Sequence, residues 1–146
     1  MRKRSRAREH ALRILYQLDL THDAVAEGLA SYLRHHRVAK PSQPFVTTLV
    51  HGVVAQREAI DARITKYAMN WRVRRMAVVD RNILRLGAYE LLHGGDVPAT
   101  VVINEAIELA KRYGSPDSSK FVNGLLDRLY KSDAARSPAA SAAPIP

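Results

Sequence analysis

The stretch VDRNILRLGAYELLHGGDVPATVVINEAIELAKRYG, residues 79–114, decides the fold class of this 146-residue chain. Its apolar residues recur every three or four positions, which is the spacing of amphipathic α-helices and not of strands. One helix is predicted from about Val78 and ends at Gly94 and Gly95, a pair typical of C-terminal caps. A second helix is predicted from about Val101. The predicted apolar faces are Ile83, Leu84, Gly87 and Leu91 in the first helix, and Ile103, Ile107 and Ala110 in the second.

Helical spacing continues on both sides of this stretch. After it, a helix is predicted from Ser118 or Ser119, and before it helices are predicted over about residues 1–20 and 25–34, followed by one long helix from Pro44 to Ile64. The predicted core stripes are Val122, Leu125, Leu126 and Leu129 in the last helix, Ala7, Ala11, Ile14, Leu15 and Leu18 in the first, and Phe45, Leu49, Val53, Gln56, Ile60 and Ile64 in the long one.

These patterns predict an all-α single domain of six or seven helices. The domain is expected to occupy residues 1–133. Residues 134–146 are rich in Ala, Ser and Pro and offer little to bury, so a disordered tail is expected there.

Positive charge is concentrated at the start of the chain. The formal net charge is +9, and residues 1–13 contribute +5 of it through six cations and one anion, Glu9. A secretory signal needs about 7–15 uninterrupted apolar residues after such cations, and His10, Arg13 and Gln17 break the run here. A local cationic excess predicts a site for a polyanion, with nucleic acid as the expected partner. A merely solvated helix end fits these residues equally well.

The sequence does not predict an enzyme. It contains no cysteine, which excludes disulfides and thiolate metal sites and is compatible with a reducing cytoplasm. Glu90 and His93 have the spacing of di-metal helical bundles, but the further motif that such a site needs is missing, so a structural histidine is favoured. Glu105 and Glu108 lie one turn apart near a helix start, where the helix dipole favours acids. We therefore expect no catalytic residues, no metal and no cofactor.

Three stretches of the sequence closely resemble the NusB family of bacterial transcription antitermination factors. They are residues 7–20 (AREHALRILYQLDL), residues 79–114 as quoted above, and residues 115–129 (SPDSSKFVNGLLDRL). The resemblance spans about residues 4–130 in the same order. It implies an all-α fold of seven helices in two packed sub-bundles, and a cytoplasmic RNA-binding protein without catalytic activity.

The resemblance also implies partners. NusB proteins pair with NusE, a small-subunit ribosomal protein, and the pair binds the boxA element of nascent ribosomal RNA leaders. Other Nus factors then hold the RNA to elongating RNA polymerase, which reads through terminators. Because family members occur as monomers or dimers, a homodimer that covers the Arg-rich start is an open alternative.

The resemblance implies two RNA-binding regions and one partner surface. The first RNA-binding region is the Arg-rich start, residues 1–8, where this chain departs from the family by placing Ser5 inside the run. The second region is the start of the last helix. Tyr16 and Asp80 match positions that face NusE, and Asp80 stands where a Glu, one methylene longer, is common. The implied RNA-binding residues are Arg2, Lys3, Arg4, Arg6, Arg8, Asp117, Lys120 and Phe121.

The residues alone leave several of these roles open. The cations are predicted to lie before or off the apolar face of the first helix. Phe121 precedes the core stripe by one position, so it suits either base stacking or packing on Leu125. Tyr16 suits a core edge or an interface, and Asp80 suits a plain helix-start anion. An accessory domain of an RNA-modifying enzyme is a rival class, against which the lack of a Gly-rich cofactor loop argues. A protein module that only self-associates is a third.

Overall fold

The computed structural model describes residues 3–69 and 72–132. Within them the chain forms seven α-helices and no strand, which confirms the all-α, seven-helix prediction. Two short 3₁₀ turns, Lys40–Ser42 and Val73–Arg75, precede the third and fifth helices. Arg2 and the predicted tail over 134–146 lie outside the described residues. The helices are α1 Lys3–Thr21, α2 Val25–His35, α3 Gln43–Ala55, α4 Arg57–Tyr67, α5 Val78–His93, α6 Ala99–Tyr113 and α7 Ser118–Ser132.

The chain divides after Gln56 into two compact units, and the first contains α1, α2 and α3. In this unit α1 packs against both of the other helices. Its predicted apolar face is buried at four positions and half-buried at Leu18, so the pattern of the first helix is confirmed. Pro44 lies in the first turn of α3 as expected, where proline costs no helical hydrogen bond. The core side chains that α2 and α3 contribute are Leu29, Tyr32, Val46, Leu49, Val50 and Val53.

The prediction of one long helix from Pro44 to Ile64 is wrong. The structure has two helices that meet at Gln56, whose φ of −102° and ψ of 13° lie outside the α-helical region. The N–H of Gln56 still bonds to the carbonyl of Gly52 at 3.0 Å. Because the apolar spacing runs through the break without a change of period, hydrophobic periodicity could not reveal it.

The second unit contains α4, α5, α6 and α7. The four residues of the predicted α7 stripe are all fully buried, which confirms that prediction. At the centre α5 packs against α7, and Gly87 makes this close approach possible, since a β-carbon there would lie 2.8 Å from Cδ1 of Leu126. The same β-carbon would lie 3.7 Å from Cβ of Ala106 on α6. Small residues therefore bring the three helices together.

The predicted helix ends around residue 95 are correct, and Ala110 is buried as predicted, but the other two predicted positions of the apolar face of α6 are displaced by one residue. Gly94 caps α5, and Gly95 follows with φ +75°, a left-handed conformation that favours glycine. Ile103 and Ile107 are only half-buried. The buried face of α6 is instead Val102, Ala106, Leu109 and Ala110, because the small side chain at 106 is the one that faces Gly87.

None of the helices in the described ranges combines the length and the apolarity that a membrane-spanning helix requires.

Candidate nucleic-acid interface

From Lys3 onward, the Arg-rich start is part of α1. Lys3 is the first residue of the helix, and the first turn contains no acid that would complement the helix dipole. Lys3, Arg4 and Arg6 are exposed to solvent. They therefore present positive charge at a helix end where the dipole disfavours it, which suits a site that an anion completes.

Arg8 differs from the other arginines of this start. Its exposed fraction is 3%, so the prediction that all of the cations lie before or off the apolar face is wrong for Arg8. Arg8 follows Arg4 by four positions and lies on the same side of α1, one turn further into the protein. Because Arg4 and Arg8 carry the same charge, the sequence did not show that one is exposed and the other buried. Arg8 thus belongs to the interior beneath the exposed cations.

Phe45 on α3 lies against the side chains of two of these arginines. The guanidinium carbon of Arg4 lies 4.4 Å from the centre of the phenyl ring, and that of Arg8 lies 5.4 Å from it. Both distances are within the range of cation–π attraction. The sequence assigned Phe45 to a core stripe, but its side chain is only half-buried. Sequence reasoning therefore missed its contact with the Arg-rich start, since the two lie on different helices.

A buried polar contact joins α1 to α2 behind the Arg-rich start. Nδ1 of His10 lies 2.7 Å from the hydroxyl of Tyr32, and the ring of Tyr32 stacks on His36 at 3.9 Å between ring centres. Burial lowers the pKa of His10, and the nearby charge of Arg13 lowers it further. The neutral form of His10 therefore belongs to the folded state.

The start of α7 holds the second predicted region. Asp117 and Lys120 are exposed and Phe121 is half-buried, at the edge of the core stripe where the sequence placed it. The loop before the helix is fixed by Ser118, whose buried Oγ accepts a hydrogen bond from the N–H of Ser115 at 2.9 Å. Phe121 is thus presented from a rigid helix start.

A cavity of about 320 Å³ brings part of the predicted site together within the second unit. Asp80 from the first turn of α5 lines it, and so do Asp117 and Phe121. Oδ1 of Asp80 is buried and receives no hydrogen bond from the described residues. Lys120 does not line the cavity. The other lining residues, which sequence analysis did not predict, are Arg75, Met76, Ala77, Ser115 and Ser118.

The buried Oδ1 of Asp80 makes this residue a candidate for binding a hydrogen-bond donor. A buried carboxylate oxygen without a hydrogen-bond donor is costly, and the cost is removed when a partner supplies an N–H or O–H.

Tyr16, the other predicted partner residue, lies on α1 with an exposed fraction of 38%. In residues 3–69 and 72–132, no group of three or more metal-binding side chains is placed to hold an ion.

The family comparison agrees with the arrangement of helices. The model of the NusB family matches residues 5–131 of this chain. The chain belongs to the NusB family. A transcription antitermination protein NusB of Bacillus subtilis is 46% identical over 131 residues, which cover 90% of this chain and 96% of that protein. The NusB of Desulfitobacterium hafniense is 44% identical over 128 residues and 86% of both chains.

Solved NusB structures have the same fold. NusB of T. maritima superposes with a TM-score of 0.83 and 37% identity, over 92% of this chain and 94% of that one. A complex of the antitermination factors NusB and NusE with double-stranded RNA matches with a TM-score of 0.82 and 31% identity, over 91% of this chain and 99% of that one. A relative with the NusB fold has therefore been solved in complex with both NusE and RNA.

Proposed function

We propose that this chain is a transcription antitermination factor that binds the boxA element of nascent ribosomal RNA leaders together with NusE. The observation that carries the proposal is the exposure of Arg4 and Arg6 at the start of α1, in a NusB-family chain. A relative of the same fold has been solved with NusE and RNA. The chain acts in the cytoplasm as an adaptor, and its work is binding, not catalysis.

RNA binding divides into charge neutralisation and stacking. Lys3, Arg4 and Arg6 neutralise phosphates, and arginine adds paired hydrogen bonds to phosphate oxygens. Arg2 precedes them in sequence and adds to the same charge. Arg8 supports them from the interior, because its side chain is buried.

At the start of α7, Asp117, Lys120 and Phe121 each make a different kind of contact with RNA. Lys120, which is exposed, contacts phosphate. The half-buried ring of Phe121 stacks on an unpaired base, a contact that tolerates any base because every base has a π-face. Asp117, an exposed acceptor, takes hydrogen bonds from base or sugar donors.

Asp80 of the second unit and Tyr16 of the first each contact NusE. Oδ1 of Asp80 is buried and has no hydrogen-bond donor among the described residues, and a Lys or Arg side chain of NusE supplies one. Tyr16 offers an aromatic side chain with a polar tip, a residue type enriched at interfaces. Other Nus factors and RNA polymerase then join the complex of RNA, NusE and this chain.

The proposal is tested by RNA binding with and without the partner. Fluorescence anisotropy is measured with a labelled boxA RNA and with a scrambled RNA of the same composition, each with and without NusE. We expect tighter binding of boxA than of the scrambled RNA, and a further gain when NusE is added. Equal affinity for the two RNAs in the presence of NusE would contradict the proposal. Sedimentation of the same samples shows whether the chain instead self-associates through its basic start.

A further inference from the structure

The position of Phe45 is fixed by the fold of the first unit. Phe45 is the third residue of α3, directly after Pro44 in the first helical turn. Its neighbour Val46 is fully buried, as are Leu49, Val50 and Val53 of the same helix, and α3 packs against α1. The ring is thus held in place by a packed backbone, while the side chain itself is half-buried.

Two cations share this ring, which is unusual for a core-edge phenylalanine. Arg4 and Arg8 are separated by one helical turn, so their charges repel each other. The negative face of the ring attracts both, since their guanidinium carbons lie 4.4 Å and 5.4 Å from its centre. Arg8 is buried and Arg4 is exposed. Of the two, Arg4 is therefore the one that a ligand from solvent can reach.

We propose that Phe45 is a positioning residue for RNA binding, which holds the guanidinium of Arg4 in place before RNA arrives. This inference rests on the proposed function, in which Arg4 contacts phosphate. A long, flexible side chain loses rotamer freedom when it is immobilised on binding, and a side chain that is already ordered loses less. The planar guanidinium lies against the ring, and its N–H groups remain available for phosphate oxygens.

The test is the variant Phe45→Leu, which keeps an apolar side chain of similar volume and removes the aromatic face. Affinity for a labelled single-stranded boxA RNA is measured over a salt series. We expect Phe45→Leu to weaken binding by about two- to fivefold, because the loosened Arg4 side chain would then lose its rotamer freedom on binding RNA. The salt slope should not change, because every cation is still present. Arg4→Ala, in contrast, should lower the slope by about 0.7.

A double variant separates positioning from general damage. Phe45→Leu combined with Arg4→Ala should bind no more weakly than Arg4→Ala alone, because the ring acts through Arg4. Phe45→Tyr, which keeps the ring face, should restore the affinity of the natural chain. Val54→Ala serves as the matched control, since Val54 is also a half-buried residue of α3 but has no aromatic ring.

Several outcomes would overturn the inference. One is that Phe45→Leu binds RNA like the natural chain, another is that it binds RNA more tightly because the ring withholds Arg4, and a third is that its loss of affinity adds to that of Arg4→Ala. Any of these rejects the positioning role while RNA binding by Arg4 stands. If Arg4→Ala itself leaves both affinity and slope unchanged, the proposed RNA surface fails, and the role of Phe45 fails with it.

Discussion

Arg85 on α5 and Asp61 on α4 form a two-bonded ion pair. Nε of Arg85 donates to Oδ1 of Asp61 at 2.8 Å, and Nη2 donates to Oδ2 at 2.9 Å. The side chain of Arg85 is 5% exposed and that of Asp61 is 26% exposed. A buried guanidinium without its carboxylate would be a costly charge. The pair therefore holds the helix that carries Asp80 against its neighbour.

Asp61→Ala should destabilise the protein by about 1–3 kcal/mol, less than the loss of a fully buried pair because Asp61 is partly exposed. Urea unfolding followed by circular dichroism measures the effect. Asp127→Ala is the control, since Asp127 pairs with Lys131 on the surface at 3.1 Å and should cost about 0.5 kcal/mol or less. Equal losses for the two variants would show that the Arg85 pair contributes no more than a surface contact.

Replacing Arg4 and Arg6 together with Ala should weaken RNA binding and lower the salt slope by about 1.4, or about 0.7 for each lost phosphate contact. The unfolding midpoint should not change, because both side chains are exposed. The matched control is the pair Arg34→Ala and Arg57→Ala, which removes the same charge from two other exposed positions. If the control lowers the slope as much, net charge and not the start of α1 determines binding.

Asp80→Lys should impair binding of NusE more than it impairs direct RNA binding by the isolated chain. Oδ1 of Asp80 is buried and has no donor among the described residues, and a basic partner that supplies one would meet a like charge in the variant. Glu58→Lys makes the same charge change in the first turn of α4 and should leave NusE binding intact. Normal pull-down of NusE by Asp80→Lys would remove Asp80 from the interface.

Phe121→Ala should cost about 1–3 kcal/mol of RNA affinity if the ring stacks on a base, with a small effect on folding because the residue is half-buried. Leu125→Ala, one turn further along α7 and fully buried, should cost about 2–5 kcal/mol of stability. Phe121→Tyr keeps the ring and should bind RNA normally. Urea midpoints and RNA affinities of all three variants distinguish a stacking role of Phe121 from a core role. A loss of stability as large as that of Leu125→Ala, with normal affinity in the folded fraction, would make Phe121 a core residue.

The stability of the protein should fall as the pH drops below 6.5, the ordinary pKa of histidine, because the pKa of His10 is lowered in the folded state by burial and by Arg13. Below pH 6.5 the unfolded chain binds a proton at this residue more readily than the folded chain does, so protonation favours unfolding. His10→Gln cannot titrate and still reaches Tyr32, so it should lose less stability between pH 7.5 and pH 5.5. His93→Gln, a change at an exposed histidine, should behave like the natural chain.

Local sequence patterns predicted the parts of the fold that depend on local spacing. The apolar stripes of α1 and α7 were predicted correctly because each of these helices buries one face along its whole length. Helical spacing alone then identifies the buried residues. The break at Gln56 was missed because the stripe on either side of it keeps one period. The face of α6 was displaced because Val102 and Ala106 have the same helical spacing as Ile103 and Ile107, so spacing alone does not show which pair is buried. Packing against Gly87 buries Ala106.

The candidate site was predictable residue by residue but not as an arrangement. Arg8 has the same charge as Arg4, so only the fold distinguishes a buried position from an exposed one. Asp80 and Phe121 are far apart in sequence, and nothing in either local pattern shows that both line one cavity. Phe45 fits a core stripe by spacing, and its contact with the arginines depends on how α3 packs against α1.

A substitution at Gly87 would affect the shape of the cavity. Asp80 and Phe121 line the cavity from α5 and α7, and each lies roughly 8–11 Å along its helix from the point where Gly87 meets Leu126, at a rise of about 1.5 Å per residue. A methyl group at 87 would lie 2.8 Å from Cδ1 of Leu126, so the Leu126 side chain would have to shift. Because Leu126 is fully buried, its shift would change how α7 packs against α5, and with it the spacing of Asp80 and Phe121. A substitution at 87 would thus alter the cavity although residue 87 does not line it.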